Sequence, residues 1–307
     1  MISSPEPFSV SREEIARIGD VELAYETFGD PADPALLLVM GLGTQMLGWR
    51  AGFCAELAER GFRVIRYDNR DVGRSTKFSS HRPPTAAQLI RRDKKAAAYA
   101  LADMADDAVG LLDALGVPAA HVVGASMGGM IAQTIAFRHP GRVLSLVSIM
   151  SNTGARFSGQ PSLSMYGTLL KRAPREREAY IEHQMQVFAK TGSPGFPRDE
   201  ADKRELAVAS YERGHDPAGS GRQLAAIIAS GDRTADLRTI RAPTLVIHGD
   251  KDRLVAPSGG RATAKAIPGA RLLTIEGMGH DLPRGAWRRI IDAIAENAAR
   301  AVEPALA

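Results

Sequence analysis

The sequence predicts an α/β protein whose mostly parallel, doubly wound sheet is split by a helical insertion. Short apolar runs alternate with helical patterns over residues 35–150 and again over residues 244–301, which is the rhythm of parallel strands joined by crossover helices. Between these stretches, residues 152–238 hold helical patterns and loops rich in glycine and proline, without a strand-like run. We therefore expect a core domain made of residues 1–151 and 239–307 and a helical cap made of residues 152–238.

The elements of the first half follow from local patterns. Two β-like runs between Ile15 and Phe28 flank Gly19-Asp20, which is typical of a hairpin. Residues Ala35–Met40 are apolar throughout, as expected of a strand that is buried on both faces. The patterns that follow predict a helix at Trp49–Arg60, a strand at Phe62–Tyr67, a helix at Asp103–Leu115, a strand at His121–Val123, a helix at Met130–Arg138 and a strand at Val143–Met150.

The second half begins with the insertion and ends with renewed βα alternation. Helical patterns in the insertion cover Glu176–Lys190, Asp199–Glu212 and Gln223–Ala229. The later patterns predict strands at Thr244–His248 and Arg271–Ile275, a helix around Arg261–Ile267 and a last helix at Trp287–Ala301.

Composition excludes several classes of protein. The 307 residues are 44% hydrophobic, which suffices for one large domain with an insertion. The net charge of +4 is spread without an unbroken Lys/Arg block, which argues against a nucleic-acid partner. Residues Met1–Val10 lack the apolar core of a signal peptide, and no run approaches the roughly 20 apolar residues of a membrane helix. We expect a cytoplasmic protein without membrane partners, and its oligomeric state stays open.

The motif with the clearest chemistry is Gly124-Ala125-Ser126-Met127-Gly128, which follows a predicted strand and precedes a predicted helix. The pattern G-x-S-x-G at such a junction holds a serine on a sharp turn with its hydroxyl clear of the sheet. Gly124 and Gly128 occupy the two positions where the turn leaves little room for a Cβ atom. Ser126 is therefore the candidate nucleophile.

A serine hydroxyl needs a base to accept its proton and an acid to orient that base. His280 lies in a glycine-rich loop after the last predicted strand, where open α/β sheets place their sites. The acid should follow the preceding strand, where Asp250 and Asp252 are available. We prefer Asp252 and assign Asp250 to the turn, and His248 at the end of that strand is a possible supporting residue.

The oxyanion of an acyl-transfer intermediate needs preorganised N–H donors. The backbone of Met127, directly after the nucleophile, is one expected donor. The other is the backbone of Leu42, because Gly41 and Gly43 let that loop approach a ligand closely. No phosphate-binding motif or cluster of metal-ligating residues occurs in the sequence, so we expect neither a cofactor nor a metal.

The substrate pocket is expected to take apolar residues from the insertion. Half or more of its large apolar side chains should form the insertion's own core, and the rest should line the pocket. The candidates for the pocket are Met165, Tyr166, Met185 and Phe188.

These motifs together resemble the α/β-hydrolase superfamily, and within it the small cofactor-free bacterial carboxylesterases of the aclacinomycin methylesterase type. The resemblance rests on segments Leu36–Gly43, Tyr67–Ser75, Gly124–Gly129, His248–Asp252 and Gly277–Pro283. It implies a catalytic Ser126, Asp252 and His280 beneath a helical cap. This sequence departs from the family pattern at Met40-Gly41, where many relatives have His-Gly. The departure puts an oxyanion-loop histidine in question but leaves the backbone donor unaffected.

The function expected from this resemblance is cleavage of a carboxylic ester of a small molecule through an acyl-enzyme. A perhydrolase, a cofactor-free haloperoxidase or a lactonase would use the same three residues, and a ligand-binding, receptor-like member of the fold is an alternative without catalysis. A serine in place of aspartate at position 126 disfavours a dehalogenase or an epoxide hydrolase. Labelling by a serine-reactive fluorophosphonate, together with turnover of a short p-nitrophenyl ester, separates an enzyme from a receptor.

Overall fold

The structure of the protein is a computed structural model that describes residues 11–301. The prediction for Met1–Val10 lies outside the described residues. One sheet contains eight strands, in the spatial order β1-β2-β4-β3-β5-β6-β7-β8. Strand β2 is antiparallel to β1 and β4, and the other neighbours are parallel. The strands are β1 (Glu14–Ile18), β2 (Val21–Phe28), β3 (Ala35–Val39), β4 (Arg63–Tyr67), β5 (Ala120–Ala125), β6 (Val143–Ile149), β7 (Thr244–Gly249) and β8 (Arg271–Ile275).

The α-helices outside the insertion cover both faces of the sheet, and five further α-helices lie in the insertion. Those outside the insertion are α1 (Ala51–Ala58), α2 (Ala86–Ile90), α3 (Leu101–Ala114), α4 (Met127–Arg138), α10 (Ser258–Ala266) and α11 (Trp287–Ala298). Those of the insertion are α5 (Leu163–Leu170), α6 (Arg177–Thr191), α7 (Glu200–Glu212), α8 (Gly219–Ser230) and α9 (Thr234–Leu237).

Strand β3 shows why the sheet is buried on both sides. Leu36 and Leu38 pack on the face that is covered by α1 and α11, whereas Leu37 and Val39 pack on the face that is covered by α3 and α4. All four side chains are fully buried. Because side chains alternate between the faces of a strand, an uninterrupted apolar run is what a strand between two helical layers requires.

The two ends of the insertion lie side by side. The backbone N–H of Arg233 donates to the carbonyl of Thr153 at 2.8 Å, and its guanidinium donates to the carbonyl of Asn152 at 2.8 Å. Arg233 is buried, and burial lowers the pKa of its guanidinium to about 10. The insertion therefore begins and ends at one place, next to the end of β6, and the chain then runs through α9 to the start of β7.

The predicted hairpin and all predicted strands are present, with ends that differ by at most two residues. Helix α4 starts at Met127, earlier than the predicted Met130. The short helices α2, α5 and α9 were not predicted, because four to eight residues are too few to show a helical period. Among residues 11–301, no helix combines the length and the apolar character needed to cross a membrane.

Candidate active site

Ser126 lies on the sharp turn between β5 and α4. Its backbone has φ 57° and ψ −120°, a conformation that residues other than glycine rarely adopt. A Cβ atom at position 124 would overlap the backbone of Gly128, and one at position 128 would overlap the carbonyl of Val39. The N–H of Ser126 donates to the carbonyl of Ile149 at 2.9 Å. The two glycines and this hydrogen bond hold the serine in its strained position.

Ser126, His280 and Asp252 form a continuous hydrogen-bonded chain. The Nε2 atom of His280 is 2.9 Å from the Oγ of Ser126, and its Nδ1 atom is 2.7 Å from the Oδ2 of Asp252. A carboxylate only accepts hydrogen bonds, so Nδ1 carries the ring proton and Nε2 is free to accept the serine proton. The structure therefore brings together the three residues that the sequence analysis selected, in the tautomer that a general base needs.

The carboxylate of Asp252 is fixed and charged. Its Oδ1 atom accepts from the backbone N–H groups of Leu254 and Val255, both at 2.9 Å. Burial raises the pKa of Asp252, but the electrostatic interaction with His280 and the hydrogen bonds from His248, His280 and Val255 outweigh it and hold the pKa well below its ordinary range. A carboxylate that stays ionised keeps the proton of His280 on Nδ1.

His248, at the end of β7, faces the same carboxylate. Its Nε2 atom lies 3.4 Å from the Oδ2 of Asp252 and 2.9 Å from the carbonyl of Val255. Asp250 instead accepts from the N–H of Gly277 at 2.6 Å and pairs with Lys251 at 2.9 Å. These contacts place Asp250 in the turn, as expected, and leave Asp252 as the acid that contacts His280.

The two expected oxyanion donors lie on the wall of the same cavity as Ser126. Met127 is the first residue of α4, and the N–H groups of a first helical turn have no acceptor within the helix. Leu42 lies in a tight turn that is closed by a hydrogen bond of 3.3 Å from the N–H of Thr44 to the carbonyl of Gly41. The role of both N–H groups stays a prediction.

Backbone contacts from the insertion hold the loop that carries His280. The N–H of His280 donates to the carbonyl of Thr191, the last residue of α6, at 2.7 Å. The N–H of Gly279 donates to the hydroxyl of Ser193 at 2.8 Å, and that hydroxyl donates to the carboxylate of Asp281. The sequence analysis missed these contacts, because the backbone carbonyl of Thr191 carries no sequence signal and Ser193 lies in a loop of glycine, serine and proline without a periodic pattern.

A cavity of about 1260 Å³ opens above Ser126 and His280. Tyr166, Met185 and Phe188 of the insertion line it, as expected. The expectation for Met165 was wrong, because this side chain is buried at 1% exposure and is not among the residues that line the cavity. Successive helical residues point about 100° apart; on α5, Tyr166 faces the cavity and the side chain of Met165 is buried instead. Among residues 11–301, no cluster of His, Cys, Asp and Glu could hold a metal ion.

Comparisons with known proteins agree with this geometry. The family model of the alpha/beta hydrolase fold matches residues 34–283. The chain is 33% identical over 285 residues to the rhodomycin D methylesterase DauP of Streptomyces sp. (strain C5), a match that covers 86% of this chain and 90% of the relative. It is 28% identical over 258 residues to the 3-oxoadipate enol-lactonase 2 of Acinetobacter baylyi, covering 84% and 86%. The solved enol-lactonase of Burkholderia xenovorans LB400 aligns with a TM-score of 0.71 at 24% identity, over 94% of this chain and all of that one.

The chain belongs to the α/β-hydrolase family, and the predicted fold is confirmed. The predicted likeness to methylesterases is confirmed as well. The protein is accordingly an enzyme of the hydrolase class.

Proposed function

We propose that this ester hydrolase cleaves a carboxylic ester of a small molecule through a covalent acyl-enzyme on Ser126. The observation that carries the proposal is the unbroken chain of hydrogen bonds from Ser126 through His280 to Asp252 at the base of a large cavity. Nucleophile, base and orienting acid in contact are the arrangement that activates a serine hydroxyl.

In the first half of the proposed reaction, the Oγ atom of Ser126 attacks the ester carbonyl while His280 accepts the hydroxyl proton on Nε2. Asp252 stabilises the imidazolium that forms. The N–H groups of Leu42 and Met127 bind the negative oxygen of the tetrahedral intermediate. The intermediate then collapses, the C–O bond of the ester breaks, and the alcohol leaves with the proton from His280.

In the second half, water takes the place of the alcohol. His280 accepts a proton from this water, the resulting nucleophile attacks the acyl carbon, and a second tetrahedral intermediate forms in the same oxyanion site. Its collapse returns the proton to Ser126 and releases the carboxylic acid. Each group begins the next cycle in the protonation state that it had at the start.

The cavity supports a substrate with a bulky apolar part. Its volume of about 1260 Å³ is above the range of roughly 300–1000 Å³ that is usual for small-molecule sites. Phe188 and Met185 from the insertion and Leu42 from the core line it. We propose that the insertion acts as a cap that shapes this pocket and excludes water from the reaction. The relative is named a rhodomycin D methylesterase, which makes methyl esters the first class to test, and the cavity volume favours bulky acids among them.

The test is the Ser126→Ala variant, assayed with p-nitrophenyl esters of increasing acyl length and with methyl esters of bulky acids. We expect kcat to fall by about 10³-fold or more while substrate binding is largely kept. Labelling by a fluorophosphonate should be lost in the same variant. Retention of more than about a tenth of wild-type turnover would remove Ser126 as the nucleophile.

Lactone hydrolysis is a second candidate, because a curated enol-lactonase is among the relatives. It needs the same residues, and the alcohol oxygen that leaves the carbonyl carbon on attack by Ser126 stays attached to the acyl group through the rest of the ring. Lactones belong in the same substrate panel, and a kcat/KM for a lactone above that of every open-chain ester would favour this candidate.

A further inference from the structure

One side chain of the insertion reaches the loop that carries Leu42. Gln223, on α8, is fully buried. Its Oε1 atom accepts a hydrogen bond of 2.8 Å from the N–H of Gly43, and its Nε2 atom donates one of 2.8 Å to the carbonyl of Arg70. The N–H of Gly43 can only donate and the carbonyl of Arg70 can only accept. These two partners therefore determine which way the side-chain amide of Gln223 is oriented.

Gln223 is one of three groups that hold successive peptide units of this loop. The side chain of Asn69 donates to the carbonyl of Met40 at 2.9 Å, and the N–H of Thr44 donates to the carbonyl of Gly41 at 3.3 Å. These two bonds hold the peptide units Met40–Gly41 and Gly41–Leu42, and the second of these units carries the N–H of Leu42. Gln223 holds the next unit, Leu42–Gly43, through the N–H of Gly43. Each of the three peptide planes is therefore fixed by a hydrogen bond.

The turn from Gly41 to Thr44 depends on the unit that Gln223 holds. Gly43 has φ 65°, as the third residue of a type II turn requires, whereas a type I turn needs the same peptide unit flipped. Such a flip would direct the N–H of Gly43 away from Gln223 and remove the hydrogen bond that ties this turn to α8. A Cβ atom at position 43 would also overlap the side chain of Ser220 on α8, so the loop and the helix are in direct contact.

We infer that Gln223 is a positioning residue for catalysis: it ties the oxyanion loop to α8, so that the loop keeps the N–H of Leu42 in place beside the reacting carbonyl. This inference rests on the proposed ester hydrolysis. The insertion then supplies part of the transition-state geometry, in addition to the pocket wall. Donors that are preorganised before the reaction contribute most when their direction cannot relax.

The test compares Gln223→Met with the wild-type enzyme. Methionine has a similar volume but cannot accept the N–H of Gly43. We expect kcat for a p-nitrophenyl ester to fall by about 10- to 100-fold while KM changes by less than about threefold. The affinity for an alkyl trifluoromethyl ketone, whose adduct with Ser126 carries an oxyanion, should fall by the same factor as kcat.

The matched control is Gln133→Met. Gln133 is equally buried, on α4, and donates to the hydroxyl of Ser148 at 3.0 Å. Its substitution should lower stability to a similar degree but leave kcat and ketone affinity within about threefold of wild type. A kcat for Gln223→Met within threefold of wild type, or a loss equal to that of the control, would overturn the inference.

A measurement on the wild-type protein needs no variant. Hydrogen exchange at residue resolution should show a protected Gly43 amide beside an unprotected Leu42 amide. If the Gly43 amide exchanged as fast as the amides of an open loop, the hydrogen bond to Gln223 would be contradicted. Failure of the proposed function would look different from failure of the positioning role. A wild-type protein that neither hydrolyses esters nor reacts with a fluorophosphonate would refute the proposed function. An active wild type with an unimpaired Gln223→Met variant would refute the positioning role alone.

Discussion

Replacement of Asp252 by asparagine should reverse the tautomer of His280. The Oδ1 position of Asp252 accepts two backbone N–H groups, from Leu254 and Val255. The carbonyl oxygen of an asparagine must occupy that position to keep these bonds, which directs its NH₂ group at the Nδ1 atom of His280. A donor at that point requires an unprotonated Nδ1, so the proton of the ring moves to Nε2, where it blocks acceptance of the serine proton.

The opposite orientation of the amide is too costly to restore activity. It would turn the NH₂ group toward the two N–H groups of Leu254 and Val255 and leave both without an acceptor. A buried donor without a partner costs about 1 to 3 kcal/mol, so this orientation is disfavoured by about 2 to 6 kcal/mol. We therefore expect kcat of Asp252→Asn to fall by about 10³- to 10⁴-fold, equivalent to about 4 to 5.5 kcal/mol in the activation free energy.

The assay is steady-state hydrolysis of a p-nitrophenyl ester, with circular dichroism and a melting temperature to show that the variant is folded. Asp250→Asn is the matched control, because its carbonyl oxygen can still accept from the N–H of Gly277, the contact that Asp250 makes in the turn. The control should keep kcat within a few-fold of wild type. Activity of Asp252→Asn within about tenfold of wild type, or a larger loss in Asp250→Asn, would refute the reasoning.

Three further predictions concern the base, the fold and the pocket. The double variant Ser126→Ala/His280→Ala should lose little more activity than either single variant, because the two groups act as a unit, and additive losses would place His280 in another role. Burial lowers the pKa of His121 from 6.5 to about 4, so the unfolded chain binds the proton more tightly and stability falls as the pH drops from about 6.5 toward 4. Between pH 7 and pH 4.5, the free energy of unfolding measured in urea should fall by about 2 to 3 kcal/mol less in His121→Asn than in the wild type. Parallel curves of unfolding free energy against pH for the two proteins would contradict this. Phe188→Ala should shift the ester panel toward longer or bulkier acyl groups, whereas Met165→Leu, outside the cavity, should leave the ranking unchanged, and equal profiles would show that Phe188 does not limit the substrate.

The sequence was sufficient for the parts of the site that depend on local sterics. Gly124 and Gly128 are required by the turn itself, so a pattern of five residues between a predicted strand and a predicted helix locates Ser126. The strands are equally local, because burial on two faces demands an apolar run such as Ala35–Val39. His280 and Asp252 could be selected because the carboxyl ends of parallel strands meet at one edge of the sheet.

The contacts between the insertion and the core could not be predicted in the same way. Gln223 hydrogen-bonds to Gly43, which is 180 positions away, and the carbonyl of Thr191 accepts from the N–H of His280 through the backbone alone. A buried glutamine within a helical pattern looks the same as one facing solvent, and a backbone carbonyl carries no sequence signal. The error at Met165 has a related cause: apolar character indicates burial but does not say which side of the helix meets the cavity.

The two ends of the insertion lie next to each other, which matters for replacing or shortening this segment. Because Asn152 and Thr153 lie beside Arg233, a short linker could close the gap, and a shortened protein or a chimera with a foreign insertion could keep the sheet intact. Such a graft would still lack the carbonyl of Thr191 that holds the loop of His280. We therefore expect an exchanged insertion to support turnover only when it returns hydrogen-bond acceptors both to the loop of His280 and to the N–H of Gly43.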